Sequence, residues 1–356
     1  MNKNRLCVLA QVGAIHKLPL LLLVMALIVL PLFAEPPLIY SQVRVPWNYI
    51  ARVDNEIVYA RPGLWAEFAL SERELFTLDC RGVPYEVVVP DLAEFYASRL
   101  AATGMGIERG RDMGGWRTYA MFLAALDSLH NAYPAYVSEP ESIGAGHNGN
   151  ALWVVKISDN VALDEDEPEL LIAGGIHARE VIAPEIVLSF AQWLMATYGS
   201  DEVATYLVNN REIWILPLIN PDGYRYNEIM NPSGGGMWRK NRRDNGDGTY
   251  GVDLNRNFPY MWGYDDIGSS PEPGNDTYRG PSAASEPETQ AMIAFTNSHE
   301  FRSSLSFHSY GMLYLSPWGY DTVFCPDDDW FVRIGYRYAR NNGYIYGPCA
   351  TTIYPT

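Results

Sequence analysis

The chain has 356 residues, 48% hydrophobic and 19% charged, enough for a large core and a smaller accessory domain. Its formal net charge of -16 argues against nucleic acid and anionic membrane surfaces as partners, since both repel an acidic protein. The acidic residues are scattered, which fits a solvated surface better than an acid-driven recognition tract.

Residues 1–34 read as a secretory signal peptide, which predicts a secreted or otherwise extracytoplasmic protein, extracellular or periplasmic. Lys3, Arg5 and Lys17 form the positive flank, Leu18 to Phe33 is apolar but broken by Pro19 and Pro31, and Ala34 suits cleavage. The uninterrupted apolar part falls short of the ~20 residues of a membrane span. An uncleaved signal anchor is the alternative, and no other stable membrane partner is expected. Cys7 leaves with this segment. Cys80, Cys325 and Cys349 remain, none in a CxxC pair, and a Cys325–Cys349 bridge stays open.

Residues 36–102 read as a small α+β unit. Ser71 and Glu74 match a capping box that opens a short helix, Tyr85–Val89 is strand-like, and Asp91–Ala101 is a second helical candidate. Thr103–Gly115 reads as a linker. From there the pattern is α/β. Thr118–His130 is an amphipathic helix, Leu152–Ile157 and Leu170–Ala173 are apolar strands, and Pro184–Thr197 is a helix with proline in its first turn. Glu212–Leu218 is a strand closed by a turn at Asn220-Pro221-Asp222-Gly223. Residues 227–284 are mostly loop, of a length that usually carries function. Ser285 is expected to cap a helix running to about His299, with Glu288 at the capping-box position. Ser304–Phe307 is a strand and Trp330–Arg340 a helix. Strands alternating with helices predict a central mixed, largely parallel sheet flanked by helices, with ligands gathering at strand ends. There is no internal repeat and no low-complexity segment.

The most informative stretch is Gly174-Gly175-Ile176-His177-Ala178-Arg179-Glu180, directly after a strand. His177 and Glu180 suit Zn²⁺, and His308 follows a later strand. Three protein ligands with an open fourth position describe a catalytic zinc site. An HxxE pair alone is a weak signal, and a hydrogen-bonded loop histidine is the competing reading. Two arginine-bearing loops follow, Trp238-Arg239-Lys240-Asn241-Arg242 and Gly251-Val252-Asp253-Leu254-Asn255-Arg256-Asn257-Phe258. Loop arginines are often merely solvated. The functional alternative is that one steadies a developing oxyanion while another forks onto a carboxylate. Asp244–Gly248 does not have the spacing of a calcium loop. HExxH is absent, which excludes metalloproteases of that type.

Further ordered stretches are Ile-Asn-Pro-Asp-Gly-Tyr at 219–224, Tyr-Arg-Gly-Pro at 278–281, Ser-Glu-Pro-Glu-Thr at 285–289 and Phe-His-Ser-Tyr-Gly at 307–311. Together with the loops above they closely resemble the zinc metallocarboxypeptidases of the carboxypeptidase A type. The resemblance covers residues 110–356, expected to be the catalytic domain, and makes residues 36–102 similar to the propeptide-like domain of such enzymes. It implies one Zn²⁺ held by His177, Glu180 and His308. It also implies a scissile carbonyl polarised by Arg239, and the free carboxylate of a peptide or protein C-terminus held by Asn255 and Arg256. Tyr310 is expected to line the cleft. In the family a Tyr and a general-base Glu follow a segment that begins much like Thr351–Pro355. The chain is therefore expected to be C-terminally incomplete and impaired or inactive as given. A non-catalytic peptide- or cell-wall-binding pseudoenzyme and an N-acyl amino acid deacylase are the alternatives.

Overall fold

The computed structural model describes residues 39–55, 57–61, 63–95, 98, 113–339 and 342–353. The signal-peptide reading of residues 1–34 and the linker reading as far as residue 112 lie outside the described residues. Of the helix expected over Asp91–Ala101, residues 92–95 and 98 are helical, and 96, 97 and 99–101 are outside the described set. Among the described residues no helix is long and apolar enough to cross a membrane.

The first part of the chain makes a four-stranded antiparallel sheet in the order β2-β3-β1-β4, from β1 (Tyr40–Pro46), β2 (Ile57–Arg61), β3 (Trp65–Ser71) and β4 (Glu86–Val89). Alternate residues Val43 and Val45 of β1 point into a core with Phe68, Leu70 and Leu78, as period-two strand geometry requires. Helix α1 (Glu72–Cys80) supplies Leu78. Its capping box forms as read: the Ser71 amide donates to Glu74 Oε2 at 2.7 Å, and the Glu74 amide donates to Ser71 Oγ at 3.4 Å.

The larger part begins with α2 (Tyr119–Ala132), whose N-cap Thr118 accepts from the Met121 amide. Its sheet has the order β5-β6-β8-β7-β9, from β5 (Glu141–Ala145), β6 (Ala151–Ile157), β7 (Glu169–Gly174), β8 (Glu212–Leu216) and β9 (Phe301–Phe307). The sheet is mixed: β5–β6 and β6–β8 are antiparallel, while β8–β7 and β7–β9 are parallel. Both faces are covered. Val155, Ile157, Ile172, Ile213 and Ile215 pack against α2 and α3 (Ile182–Thr197) on one side. Leu152, Val154, Leu171 and Ala173 meet Met292 and Phe295 of α6 (Pro287–Asn297) on the other. Helix α3 buries Ala183, Val187, Leu188, Ala191, Leu194 and Met195, a helical spacing that forms one apolar stripe. Helix α4 (Glu202–Val208) leads into β8, and α5 (Pro221–Met230) follows it. Beyond β9 a two-stranded parallel sheet joins β10 (Leu313–Ser316) to β11 (Ile345–Pro348), with α7 (Asp328–Ala339) between them in sequence and α8 (Cys349–Thr352) after. Cys325 is a buried free thiol, so it makes no bridge to Cys349.

Two sequence expectations need correction. Asn220-Pro221-Asp222-Gly223 is not a turn but the start of α5. Asn220 is its N-cap, with Oδ1 accepting from the Gly223 amide at 2.9 Å, and Pro221 sits in the first turn, where a missing N–H costs nothing. Ser285 does not cap α6. The helix starts at Pro287, with Glu286 as N-cap, and ends at Asn297 instead of His299. Ser285 instead donates to Glu286 Oε1 at 2.6 Å, and Glu288 turns inward with no exposure.

Leu188 is fully buried where α3 meets the sheet. Leu188→Ala removes packing that cannot fully collapse, and we expect it to lower unfolding stability by about 2–5 kcal/mol, read as a lower urea midpoint at unchanged m-value.

Candidate metal centre and substrate cleft

The parallel pairing of β7 and β9 builds the site. Their register sets Gly174 opposite Phe307, so the chain leaves both strands at the same sheet end, with His308 directly after β9 and His177 three residues after β7. The turn between Gly174 and His177 needs glycine. Gly175 has φ +63°, and a Cβ there would come within 2.8 Å of Leu218 Cδ2 and 3.0 Å of the Pro217 carbonyl. The loop is tied to the neighbouring strand end by the Ile219 and Asn220 amides, which donate to the carbonyls of Gly174 and Gly175. On its other side the Ala178 amide donates to the Arg239 carbonyl at 3.0 Å.

Three side chains then converge. His177 Nδ1 lies 2.8 Å from Glu180 Oε1 and 3.2 Å from His308 Nδ1, and His308 Nδ1 lies 3.1 Å from Glu180 Oε2. The Ser309 amide donates to Glu180 Oε2 at 3.1 Å and orients the carboxylate. His177 is 1% exposed and Glu180 7%, whereas His308 opens to the cleft. Two imidazole nitrogens facing each other at this distance, with a carboxylate against both, form an electron-rich pocket that needs a proton or a cation at its centre. The donor set is two nitrogens and one carboxylate with one open side, which fits a four-coordinate Zn²⁺ with room for a water or a substrate oxygen.

Asp253 is the residue whose role the sequence reading left unassigned. It is fully buried at the loop's start, with Oδ1 3.4 Å from His177 Nε2 and accepting from the Asn255 amide at 3.0 Å. Its Oδ2 receives a fork from Arg239, Nε at 3.2 Å and Nη2 at 2.8 Å. Burial opposes charge on Asp253, but Arg239, His177 and Arg256 outweigh it and hold the carboxyl well below its ordinary range. Burial likewise works against Glu180, and His177 with His308 overcome it, so Glu180 also stays ionised. For His177, burial and Arg239 disfavour the cation, while Glu180 and Asp253 raise its pKa overall.

The expected substrate residues divide between two settings. Glu180, Asn255, Arg256, His308 and Tyr310 share one broad cleft of about 2270 Å³. Asn255 and Tyr310 are exposed. Arg256 is half-buried, with Nε donating to the Gly268 carbonyl at 2.6 Å and one Nη to the Asn255 carbonyl at 3.1 Å. Arg239 is elsewhere. It is 1% exposed, lies behind His177 on Asp253, and is not among the residues lining the cleft.

Comparison with known proteins identifies the family and the fold. The profile of the zinc carboxypeptidase family matches residues 122–355. Mast cell carboxypeptidase A of Homo sapiens is 31% identical over 334 residues, covering 85% of this chain and 75% of that protein. Carboxypeptidase A2 of Mus musculus is 29% identical over 289 residues, covering 78% and 67%. The crystal structure of carboxypeptidase A from Helicoverpa armigera superposes with a TM-score of 0.74 over 89% of this chain and 83% of that one, and at 24% identity this likeness speaks for the fold alone. The family match over most of the chain, with human mast cell carboxypeptidase A as a relative across its length, establishes that this chain belongs to the zinc carboxypeptidase family.

Proposed function

We propose that the protein is an extracytoplasmic zinc exopeptidase acting on the C-terminal residue of peptides or proteins, with His177, Glu180 and His308 as the metal ligands. The observation that carries this reading is a His–Glu–His convergence, buried at His177 and Glu180 and open at His308, facing the same cleft as Asn255 and Arg256. When bound, zinc would polarise the scissile carbonyl and lower the pKa of its water toward ~7. The chain's own residues supply selection and orientation. Arg256 and Asn255 offer guanidinium and amide donors to a free terminal carboxylate, and such a clamp beside the metal centre selects the last peptide bond over internal ones. Arg239 is proposed to polarise the scissile carbonyl, its guanidinium oriented by the fork onto Asp253, which in turn faces His177. Tyr310 forms part of the cleft wall beside His308. Residues 1–34 serve as the secretory signal and residues 36–102 as a propeptide-like unit in this proposal.

Among the described residues lining the cleft Glu180 is the one glutamate, and the other carboxylates, Asp265 and Asp327, are not grouped with His177, Glu180 and His308. Glu180 cannot take a proton from water while it ligates metal. This favours a second reading of the described residues, a peptide-binding protein with the clamp intact and hydrolysis weaker by about 10²–10⁴ than general-base catalysis would give.

Two outcomes test the proposal on the zinc-loaded chain. Arg256→Ala should weaken binding of an N-acylated dipeptide with a free carboxylate by roughly 10- to 150-fold, the effect of losing ~1.5–3 kcal/mol of charged hydrogen bonding, and leave binding of the dipeptide amide unchanged. Equal weakening of both ligands in calorimetry would remove the clamp. Asp253→Asn should reduce zinc affinity by about 10- to 100-fold through His177, measured by competition with a chromogenic chelator, and an unchanged affinity would deny Asp253 its orienting role.

A further inference from the structure

A second cluster of ligating side chains lies apart from the cleft, where the β5–β6 turn meets the start of α6. His147 sits in that turn, and its Nε2 is 2.8 Å from Glu286 Oε2. His147, Glu286 and Glu288 each offer a donor atom within 4.8 Å of the others. Asp222 of α5 closes the group. Its Oδ2 accepts from the Asn148 amide at 2.6 Å and its Oδ1 from Asn150 Nδ2 at 2.6 Å.

Glu288 is the informative member. Its side chain is 0% exposed, and its Oε1 has no hydrogen-bond partner. Its Oε2 accepts from Asn241 Nδ2 at 3.1 Å. The orphaned oxygen faces the turn that carries His147. A Cβ on Gly146 would lie 2.6 Å from Glu288 Oε1 and 2.5 Å from Asp222 Oδ2, so a residue without a side chain keeps open a recess flanked by two carboxylate oxygens. An unpaired buried carboxylate oxygen costs on the order of 1–3 kcal/mol or more, and native proteins fill such positions.

Charge is also out of balance. Asp222, Glu286 and Glu288 bring three carboxylates. Among the described residues Arg243 pairs with Glu286, one Nη lying 3.1 Å from Oε1, while Arg225 of α5 reaches Asn150 Oδ1 at 2.7 Å. Glu286 also accepts from Ser285 Oγ and from Asn241 Nδ2. Burial pushes Glu288 up to about 7, with the Asp222 charge adding to the effect, and hydrogen bonding to Glu286 raises His147. Both shifts favour the protonated form, so a cation entering the group competes with protons there.

We propose that His147, Glu286 and Glu288, with Asp222 beside them, form a second divalent-cation site of mixed imidazole and carboxylate character, suited to Zn²⁺. The ion takes the place of the proton between His147 and Glu286 and of the proton on Glu288, both released to solvent. Imidazole with carboxylates selects a borderline cation over Ca²⁺ or Mg²⁺. The site lies on the far side of Asn241 from the clamp loop. Asn241 donates to Glu286 and Glu288 through Nδ2, while its Oδ1 accepts from the Val252 amide at 2.8 Å. A bound cation would brace the loop that presents Asp253 without touching substrate.

The test is metal stoichiometry on the full chain, loaded with Zn²⁺, passed into metal-free buffer and counted by plasma mass spectrometry. The parent should retain two equivalents. His147→Ala, in an exposed turn, and Glu288→Gln, close to isosteric, should each retain one. His308→Ala should also retain one, and the combination with His147→Ala none, so loss of this site and loss of the proposed catalytic site are read separately. Binding of the second equivalent should tighten as pH rises through about 7 and release protons to a weakly buffered solution. One equivalent in the parent, or a second equivalent that survives both His147→Ala and Glu288→Gln, overturns the proposal and leaves Glu288 as a carboxyl sharing a proton with Asp222.

Discussion

The site depends on a contact that is unfavourable by itself: two imidazole nitrogens facing each other at 3.2 Å with a carboxylate against both. Nothing in the local chain asks for it. It follows from the parallel register of β7 with β9, which brings two segments 131 residues apart to the same sheet end. β7 is buried on both faces, so a one-residue slip would turn Leu171, Ile172 and Ala173 to the wrong sides, while the more exposed β9 is held by its ladder to β7 and by Phe301, Leu305 and Phe307 packed on the two cores. Hydrophobic packing against α3 and α6 thus fixes a polar geometry that the polar groups alone would not adopt. A metal ion at the proposed His177–Glu180–His308 site would convert that imposed repulsion into coordination.

Asp253 joins the His177–Glu180–His308 group to the loop that carries Asn255 and Arg256. It faces His177 with one oxygen, receives Arg239 on the other, and accepts from the amide of Asn255. Removing a charge from the water of this site is costly, and breaking such a buried pair on one side typically costs about 3–5 kcal/mol. The arrangement holds because each charge has a partner in a fixed direction. Arg239 is the residue expected to polarise the substrate carbonyl. It is buried and forks onto Asp253, which places its guanidinium in the same charged group as His177.

The parts legible in the sequence are those whose chemistry is local. The HxxE pair carries its spacing on its face, the Ser71–Glu74 capping box forms as written, and the long apolar strands needed only their pattern. His308 was found because it follows a strand. Asp253 was quoted within its loop but given no task, since its partners at 177 and 239 become neighbours only through the fold. Asn220-Pro221-Asp222-Gly223 suits a turn and a helix start equally by composition. The choice was made by burial, because Tyr224 packs on Phe122 of α2 and Asp222 reaches the β5–β6 turn. Pro287 likewise overrode the capping pattern at Ser285. The short strands β5, β10 and β11 have too few residues for a period to stand out.

Asp276 links the N-terminal unit to the metal centre. Its Oδ1 accepts from Tyr40 Oη on β1 at 3.0 Å, and its Oδ2 pairs with Arg179, the residue before Glu180, at 3.1 Å. The Thr277 hydroxyl donates to the Asp54 carbonyl beside it. The loop that presents Asp276 is pinned from below by Lys240, whose ammonium donates to the carbonyls of Pro273 and Asn275 at 2.8 and 2.9 Å. Burial lowers this lysine to about 8, and the nearby Asp276 and Glu74 charges limit the drop, so the pin itself leans on carboxylates from both units. Gln42, Ile57 and Leu92 of the N-terminal unit line the same cleft as Arg256 and His308. The cleft therefore takes part of its wall from the small sheet, and the polar contact that joins the two sheets, Tyr40–Asp276–Arg179, sits one residue from Glu180.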